Sequence, residues 1–131
     1  MKINHIAILV ENIESALPFW RDALGLELAQ LEEVSAESAR VAFFPTGESE
    51  IELVQPTDPE TGLGRYLQKN GGGLHHICLE VTDIEAMMNK LQDHQVILIN
   101  ESPRKRENGT KYAFIHPKST GGVLVELYQL P

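Results

Sequence analysis

Residues 71–81 read Gly-Gly-Gly-Leu-His-His-Ile-Cys-Leu-Glu-Val, a turn of three glycines followed by a short apolar segment that opens on two histidines. A similar segment begins the chain, where residues 4–10 read Asn-His-Ile-Ala-Ile-Leu-Val. His5 and His76 align at an offset of 71 residues, and segments 51–55 (Ile-Glu-Leu-Val-Gln) and 125–129 (Val-Glu-Leu-Tyr-Gln) repeat at an offset of 74. The sequence therefore predicts one module written twice, with a histidine near the start and a glutamate near the end of each copy.

Length and composition limit the classes of protein that this chain can represent. Its 131 residues are 42% hydrophobic, which is enough for one compact domain or for two half-domains with a shared core. Eleven basic residues against 19 acidic ones give a net charge of −8, which disfavours nucleic-acid binding. Cys78 is the single cysteine, so no intrachain disulfide is expected. The chain shows neither a signal-peptide pattern nor a membrane-spanning apolar run, and we expect a cytoplasmic protein without a membrane partner.

The pattern of apolar residues and turn formers predicts the order βαβββ twice, which is an α+β fold with a curved mixed sheet, or half-barrel, around a metal site. We expect a single domain over 1–131, with module 1 at about 1–58, a linker at about 59–73 and module 2 at about 74–131. Helical spacing runs from Ile13 to Leu24, although Pro18 interrupts it, and Gly25 is the expected end of the helix. Strands are predicted at Leu26 to Glu33 and Val96 to Asn100, a short helix at Arg65 to Lys69, and a basic loop at Pro103 to Gly109.

The two glutamates of the repeat are candidate metal ligands. Side chains alternate across a strand, so Glu52 and Glu126 face away from their apolar neighbours. If each module curls into a half-barrel, these carboxylates meet His5 and His76 at one point. Two imidazoles and two carboxylates suit a divalent cation such as Zn²⁺, Co²⁺, Ni²⁺, Mn²⁺ or Fe²⁺. A single strand histidine is more often a core or surface residue, but the same pair of residue types found twice in register favours a site.

Other candidate residues have ordinary structural explanations. His75 faces the other way from His76 and is expected to be structural, and Cys78 is expected to be a small core residue. His116 precedes Pro117 at a strand end, where it could approach a pocket or shape the turn. Both possibilities remain open from the sequence.

Three segments carry a resemblance to a known family: Leu67 to Asn70 with Gly73-Leu74-His75-His76-Ile77, Phe114 to Lys118, and Gly122 to Leu127. With the double module, they resemble the vicinal oxygen chelate superfamily of glyoxalase I, extradiol dioxygenases and antibiotic-resistance proteins, and more narrowly its methylmalonyl-CoA epimerase family. The resemblance implies a cytosolic homodimer and a divalent metal held at His5, His76 and Glu126, with Glu52 as the fourth ligand. The family often has glutamine at that fourth position, and glutamate there is similar to bacterial glyoxalase I.

The resemblance also implies an activity. The expected reaction is the metal-dependent interconversion of the 2R and 2S epimers of methylmalonyl-CoA, through removal of the C2 proton and an enolate. Glu126 and Glu52 are the expected acid–base pair, and the acyl-CoA substrate is expected to contact Lys111, Lys118 and His116, with the Arg104–Arg106 cluster as a further source of cations. The alternatives are a glyoxalase I-type lactoylglutathione lyase and a non-catalytic drug-binding protein of the same fold.

Overall fold

A computed structural model describes all residues of the chain, 1–131. Hydrogen bonds join eight strands in the order β2-β3-β4-β1-β5-β8-β7-β6. The strands β5 and β8 pair in parallel, whereas the β2–β3, β3–β4, β6–β7 and β7–β8 pairs are antiparallel. The predicted α+β class with a mixed sheet, in the order βαβββ twice, is therefore confirmed. The strands are β1 (Lys2–Leu9), β2 (Gln30–Val34), β3 (Ala39–Thr46), β4 (Ser49–Pro56), β5 (Gly73–Glu80), β6 (Arg104–Lys105), β7 (Lys111–Ile115) and β8 (Val125–Gln129).

Three α-helices accompany these strands: α1 (Ile13–Leu17), α2 (Gly62–Asn70) and α3 (Ile84–Asp93). The chain contacts divide the protein into two compact units. The first, called the split unit here, consists of Met1–His5 and His76–Pro131, and the second, called the continuous unit, is Ile6–His75.

The continuous unit has its own apolar core under α1. Ile13, Ala42, Phe44 and Leu53 are fully buried there. The helix begins because the Asn12 side chain accepts a hydrogen bond from the Ser15 N–H, an N-cap that satisfies one of the unpaired amides of the first turn. The Gln55 side chain accepts from the Ile13 N–H over 2.8 Å, so strand β4 supplies a second cap.

Proline changes the form of the first helix. Pro18 has no N–H to continue the α-helical ladder, and from Pro18 to Ala23 the chain winds as a π-helix, with Leu24 N–H donating to the Phe19 carbonyl. Gly25 then has a φ of +85°, which confirms the predicted glycine at the helix end. The prediction of a strand from Leu26 to Glu33 was wrong in its first half, because β2 begins only at Gln30. Leu26 and Leu28 pack against the core cluster instead.

The segment after the first module contains more helix than the sequence predicted. Helix α2 covers Gly62–Asn70, where only Arg65 to Lys69 was expected, and Thr61 caps it by accepting from the Gly64 N–H. A Cβ atom at Gly64 would overlap the Asp58 carbonyl oxygen, so this close approach requires glycine. The predicted glycine turn follows directly, with φ of +75° at Gly71 and +139° at Gly73.

The split unit repeats the same framework around α3. Its buried core residues are Val81, Ile84, Met88, Ala113, Ile115, Val125 and Leu127. The Asp83 side chain caps α3 by accepting from the Ala86 N–H. The Gln129 side chain accepts from the Ile84 N–H over 2.8 Å, as Gln55 does from Ile13 in the first copy.

The predicted strand at Val96 to Asn100 was wrong, since only an isolated bridge between Leu98 and Ile115 forms there. The Asn100 side chain accepts a hydrogen bond from the Phe114 N–H, and the Ser119 hydroxyl accepts one from the Ile97 N–H. These two backbone amides are therefore bonded to side chains and not to carbonyl groups of a neighbouring strand. A two-residue strand, β6, lies instead at Arg104–Lys105, inside the predicted basic loop.

Candidate metal centre

Strand alternation in the split unit separates a core face from a polar face. On β8, Val125 and Leu127 join the core cluster under α3, and Glu126 points the other way. Glu126 is only 2% exposed, so its carboxylate is buried despite facing away from the apolar core. Parallel pairing with β5 sets Cys78 beside Glu126 in register, and His76 lies two residues earlier on the same strand. The site is thus built on regular strands.

Three donor atoms converge on this polar face. The Nε2 atoms of His5 and His76 are 3.3 Å apart. Glu126 Oε1 lies 3.4 Å from the His5 Nε2 and 3.1 Å from the His76 Nε2. The structure therefore brings together three of the four predicted ligands.

These distances fit a divalent cation. Metal–ligand bonds of about 2.1 Å that meet at roughly 90° to 110° separate their donor atoms by about 3.0–3.4 Å. The three observed separations of 3.1, 3.3 and 3.4 Å lie in that range. Two imidazoles and a carboxylate also match the ligand preferences of Zn²⁺ and its first-row neighbours.

The side chain of Asn4 fixes the orientation of His5. Its Nδ1 lies 2.7 Å from the Asn4 Oδ1, and the Asn4 amide in turn donates to Glu80 Oε1 over 3.0 Å. Because an amide oxygen can only accept, the His5 Nδ1 carries a proton and donates it to Asn4, and Nε2 is the ring nitrogen that would bind a metal. The rings of Tyr128 and Phe114 stand edge-on to His5 and His76 respectively and hold the imidazoles from the side.

Glu126 is ionised, as a carboxylate that binds a metal must be. Burial raises the pKa of its carboxyl group, but the hydrogen bonds and charges of His5 and His76 outweigh burial and lower that pKa to about 2. Glu126 is therefore a carboxylate at neutral pH. Its second oxygen, Oε2, is buried and has no hydrogen-bond partner.

The sequence did not single out two residues that border the cluster. Arg106 places Nη2 3.7 Å from Glu126 Oε2, and Asn4 holds His5. Asn4 carried a signal in the sequence, since it directly precedes a predicted ligand, whereas Arg106 was only one member of a basic cluster. Cys78 is buried as predicted, but its Sγ and the ligand atoms of His5 and Glu126 all lie within 4.8 Å of one another, so it borders the site as well.

The other predicted site residues differ in their settings. Glu52 is half-buried on β4 and belongs to the continuous unit, so its role as a fourth ligand stays a prediction of the repeat. Lys111 begins β7 on the same side of the strand as the core residues Ala113 and Ile115, and its Nζ donates to Glu85 of α3 over 2.9 Å. The His116 Nδ1 accepts from the Lys118 N–H in the Pro117–Ser119 turn, and the Lys118 side chain is exposed. His116 therefore shapes its turn, one of the two possibilities that the sequence had left open.

His75 also behaves as the sequence predicted. Its ring stands edge-on to Tyr66 of α2, with centroids 5.3 Å apart, so this histidine has a structural contact in the continuous unit. None of the helices combines the length and apolar character needed to cross a bilayer.

Known proteins share both the sequence pattern and the fold. A family model described as the Glyoxalase/Bleomycin resistance protein/Dioxygenase superfamily matches residues 4–114. An uncharacterized protein of Bacillus subtilis is 39% identical over 96% of this chain and 90% of its own. The human mitochondrial methylmalonyl-CoA epimerase is 35% identical over 98% of this chain and 73% of its own. The ethylmalonyl-CoA/methylmalonyl-CoA epimerase of Cereibacter sphaeroides is 34% identical over 98% of both chains.

Two solved structures give the same result. A hypothetical protein from Bacillus halodurans superposes with a TM-score of 0.93 at 36% identity, covering 99% of this chain and 94% of its own. A variant of the Streptomyces coelicolor methylmalonyl-CoA epimerase, in complex with 2-nitronate-propionyl-CoA, has a TM-score of 0.86 at 30% identity. The match covers 99% of this chain and 94% of that protein.

Proposed function

The chain belongs to the glyoxalase/bleomycin resistance/dioxygenase superfamily, and we propose that it is a metal-dependent isomerase that interconverts the 2R and 2S epimers of methylmalonyl-CoA. The observation that carries this proposal is the convergence of His5, His76 and Glu126 on one point in a chain whose relatives include methylmalonyl-CoA epimerases. We further propose that the enzyme works in the cytoplasm as a homodimer.

Epimerisation at C2 requires a proton acceptor and, next to it, a group that stabilises negative charge. The C2 hydrogen of methylmalonyl-CoA lies between a thioester carbonyl and a carboxylate, and its removal leaves negative charge on the thioester oxygen. A divalent cation, when bound, supplies Lewis-acid stabilisation of that charge. The residues proposed to hold it are His5 and His76 through Nε2 and Glu126 through Oε1.

Glu126 has a second task in this proposal. Its Oε1 contacts both imidazoles, whereas Oε2 is buried without a hydrogen-bond partner and is the oxygen left to accept a proton. Water is largely excluded there, because Glu126 and His5 are each only 2% exposed. Inversion needs a second acid–base group on the opposite face of C2. The repeat predicts Glu52 for that role, and the assignment stays a prediction.

Proton exchange tests the proposal. The protein, purified without chelator and assayed for bound metal, is incubated with methylmalonyl-CoA in deuterated water, and deuterium at C2 is followed by mass spectrometry. We expect the protein to contain a divalent metal and to incorporate deuterium rapidly at C2. The Glu126→Gln variant should not incorporate deuterium.

The same preparation is assayed in parallel with methylglyoxal plus glutathione. Lactoylglutathione formation without exchange of methylmalonyl-CoA would favour the glyoxalase alternative. Protein that binds no metal and catalyses neither reaction would support a drug-binding protein of the same fold.

A further inference from the structure

Arg106 is held in place by its own loop. The backbone N–H of Arg106 donates to the Thr110 carbonyl over 2.8 Å, and the backbone carbonyl of Arg106 accepts from the Gly109 N–H over 3.0 Å. The Asn108 side chain closes the same turn by accepting the Thr110 N–H. The backbone of Arg106 is thus fixed at the edge of the polar face of the split unit.

Two tyrosines orient the guanidinium. It lies over the Tyr112 ring, 4.4 Å from the centroid, and 5.6 Å from the centroid of Tyr128. Such stacking attracts the cation and restricts its rotamers, so less conformational freedom is lost when it binds a ligand. The Arg106 side chain remains 31% exposed, which leaves part of it accessible to a small molecule.

The guanidinium also borders the proposed proton acceptor. Nη2 lies 3.7 Å from Glu126 Oε2, which is within ion-pair distance but longer than a hydrogen bond. A cation next to the second oxygen of a metal-binding carboxylate is well placed for a substrate that carries its own carboxylate, because a guanidinium binds carboxylates through two parallel hydrogen bonds.

We propose that Arg106 is the specificity-determining residue that binds the free carboxylate of a malonyl-type thioester, an inference that rests on the proposed function. In such a substrate the carboxylate carbon is one bond, about 1.5 Å, from C2. A C2 hydrogen directed at Glu126 Oε2 therefore brings the carboxylate close to the guanidinium. Lys111 is held by Glu85 on the core side of β7, so it is a poorer candidate for this task.

Binding of two thioesters that differ only in this carboxylate tests the inference. Calorimetry on the metal-loaded protein compares methylmalonyl-CoA with propionyl-CoA for the wild type, R106Q, R106K and the neighbouring control K105Q. A bidentate carboxylate contact is worth about tenfold or more in affinity, so the wild type should prefer methylmalonyl-CoA by at least that factor. R106Q should abolish the preference while propionyl-CoA affinity changes by less than about threefold, and R106K should restore part of it.

Four outcomes would overturn the inference. R106Q could keep the preference for methylmalonyl-CoA, or it could weaken both thioesters and metal binding equally, as expected if Arg106 only supports Glu126. K105Q could reduce the preference as much as R106Q, which would indicate a general effect of positive charge. If R106Q does not fold, R106K decides, since an undiminished preference in R106K contradicts a need for the guanidinium fork. Wild-type protein that binds neither thioester would instead remove the proposed function itself.

Discussion

Leu53 of the continuous unit and Leu127 of the split unit occupy equivalent positions in the repeat, and both are buried, at 0% and 2% exposure. The glutamates that precede them differ. Glu126 is 2% exposed and contacts two imidazoles, whereas Glu52 is only half-buried. The helix-facing leucines are thus equally buried in the two units, whereas the glutamates beside them differ in exposure.

The shared framework extends to polar contacts. Gln55 and Gln129 cap the helices of their own units with identical 2.8 Å hydrogen bonds. Exposed ion pairs also recur at an offset of 71 residues, as Glu14 with Arg40 and Glu85 with Lys111. The comparison teaches that helix packing and helix caps keep the scaffold of the duplicated module alike in the two units, while residues of the same type on the other face differ in burial.

The largest expected effect comes from the equivalent glutamates. Glu126→Gln should lower metal affinity by more than about a hundredfold, since it removes a proposed direct ligand and not merely a supporting group. Glu52→Gln places glutamine, which the family often has, at the predicted fourth-ligand position and leaves the contacts among His5, His76 and Glu126 in place, so it should cost less affinity. Titration with Co²⁺ or Zn²⁺ against a competing chelator measures both. Equal losses in the two variants would contradict this ranking.

The equivalent core leucines test whether the two scaffolds are alike. Leu53→Ala and Leu127→Ala each leave a cavity in a fully packed core and should lower the free energy of unfolding by about 2–5 kcal/mol. Urea denaturation of the chelator-treated protein gives both values. A cost below about 1 kcal/mol at one position would show that its core is loosely packed and that the equivalence does not extend to energetics.

Asn4 and His75 are the next pair, because they occupy equivalent positions beside the two histidines of the repeat. Asn4→Ala removes the oxygen that orients His5 and should lower metal affinity by about tenfold to a hundredfold. His75→Ala loses a ring contact with Tyr66 and should leave metal affinity unchanged. The same chelator competition distinguishes them, and an unaltered affinity in the Asn4 variant would contradict the orienting role.

The smallest effect is expected at the helix caps. Gln55→Ala and Gln129→Ala each remove one hydrogen bond to a first-turn amide and should cost about 1 kcal/mol of stability. Thermal unfolding should show similar decreases in Tm for the two variants. Chelator competition should show that their metal affinity is unchanged. A much larger loss at Gln129 would indicate that this cap also supports the strand that carries Glu126.

The repeat made much of this structure predictable from the sequence. An offset of 71 residues relates His5 to His76 and the two helix starts, and period-two alternation correctly turned Glu126 away from the core. What failed depended on contacts between distant residues. The Asn100 side chain takes the Phe114 amide where a strand was predicted, and Arg106 reaches Glu126 because Tyr112 and Tyr128 support it. Neither contact leaves a local pattern in the sequence.

The split unit is assembled from two stretches of chain, and the 70 residues of the continuous unit lie between them in the sequence. A cation shared by His5 and His76, which are 71 residues apart, would act as a reversible cross-link across that gap. Ions that bind only the folded state add stability in proportion to the logarithm of their concentration. Chelation should therefore loosen strand β1 first, seen as faster amide exchange at Asn4 and His5 than in α3, so metal supply would govern the lifetime of the protein as well as its activity.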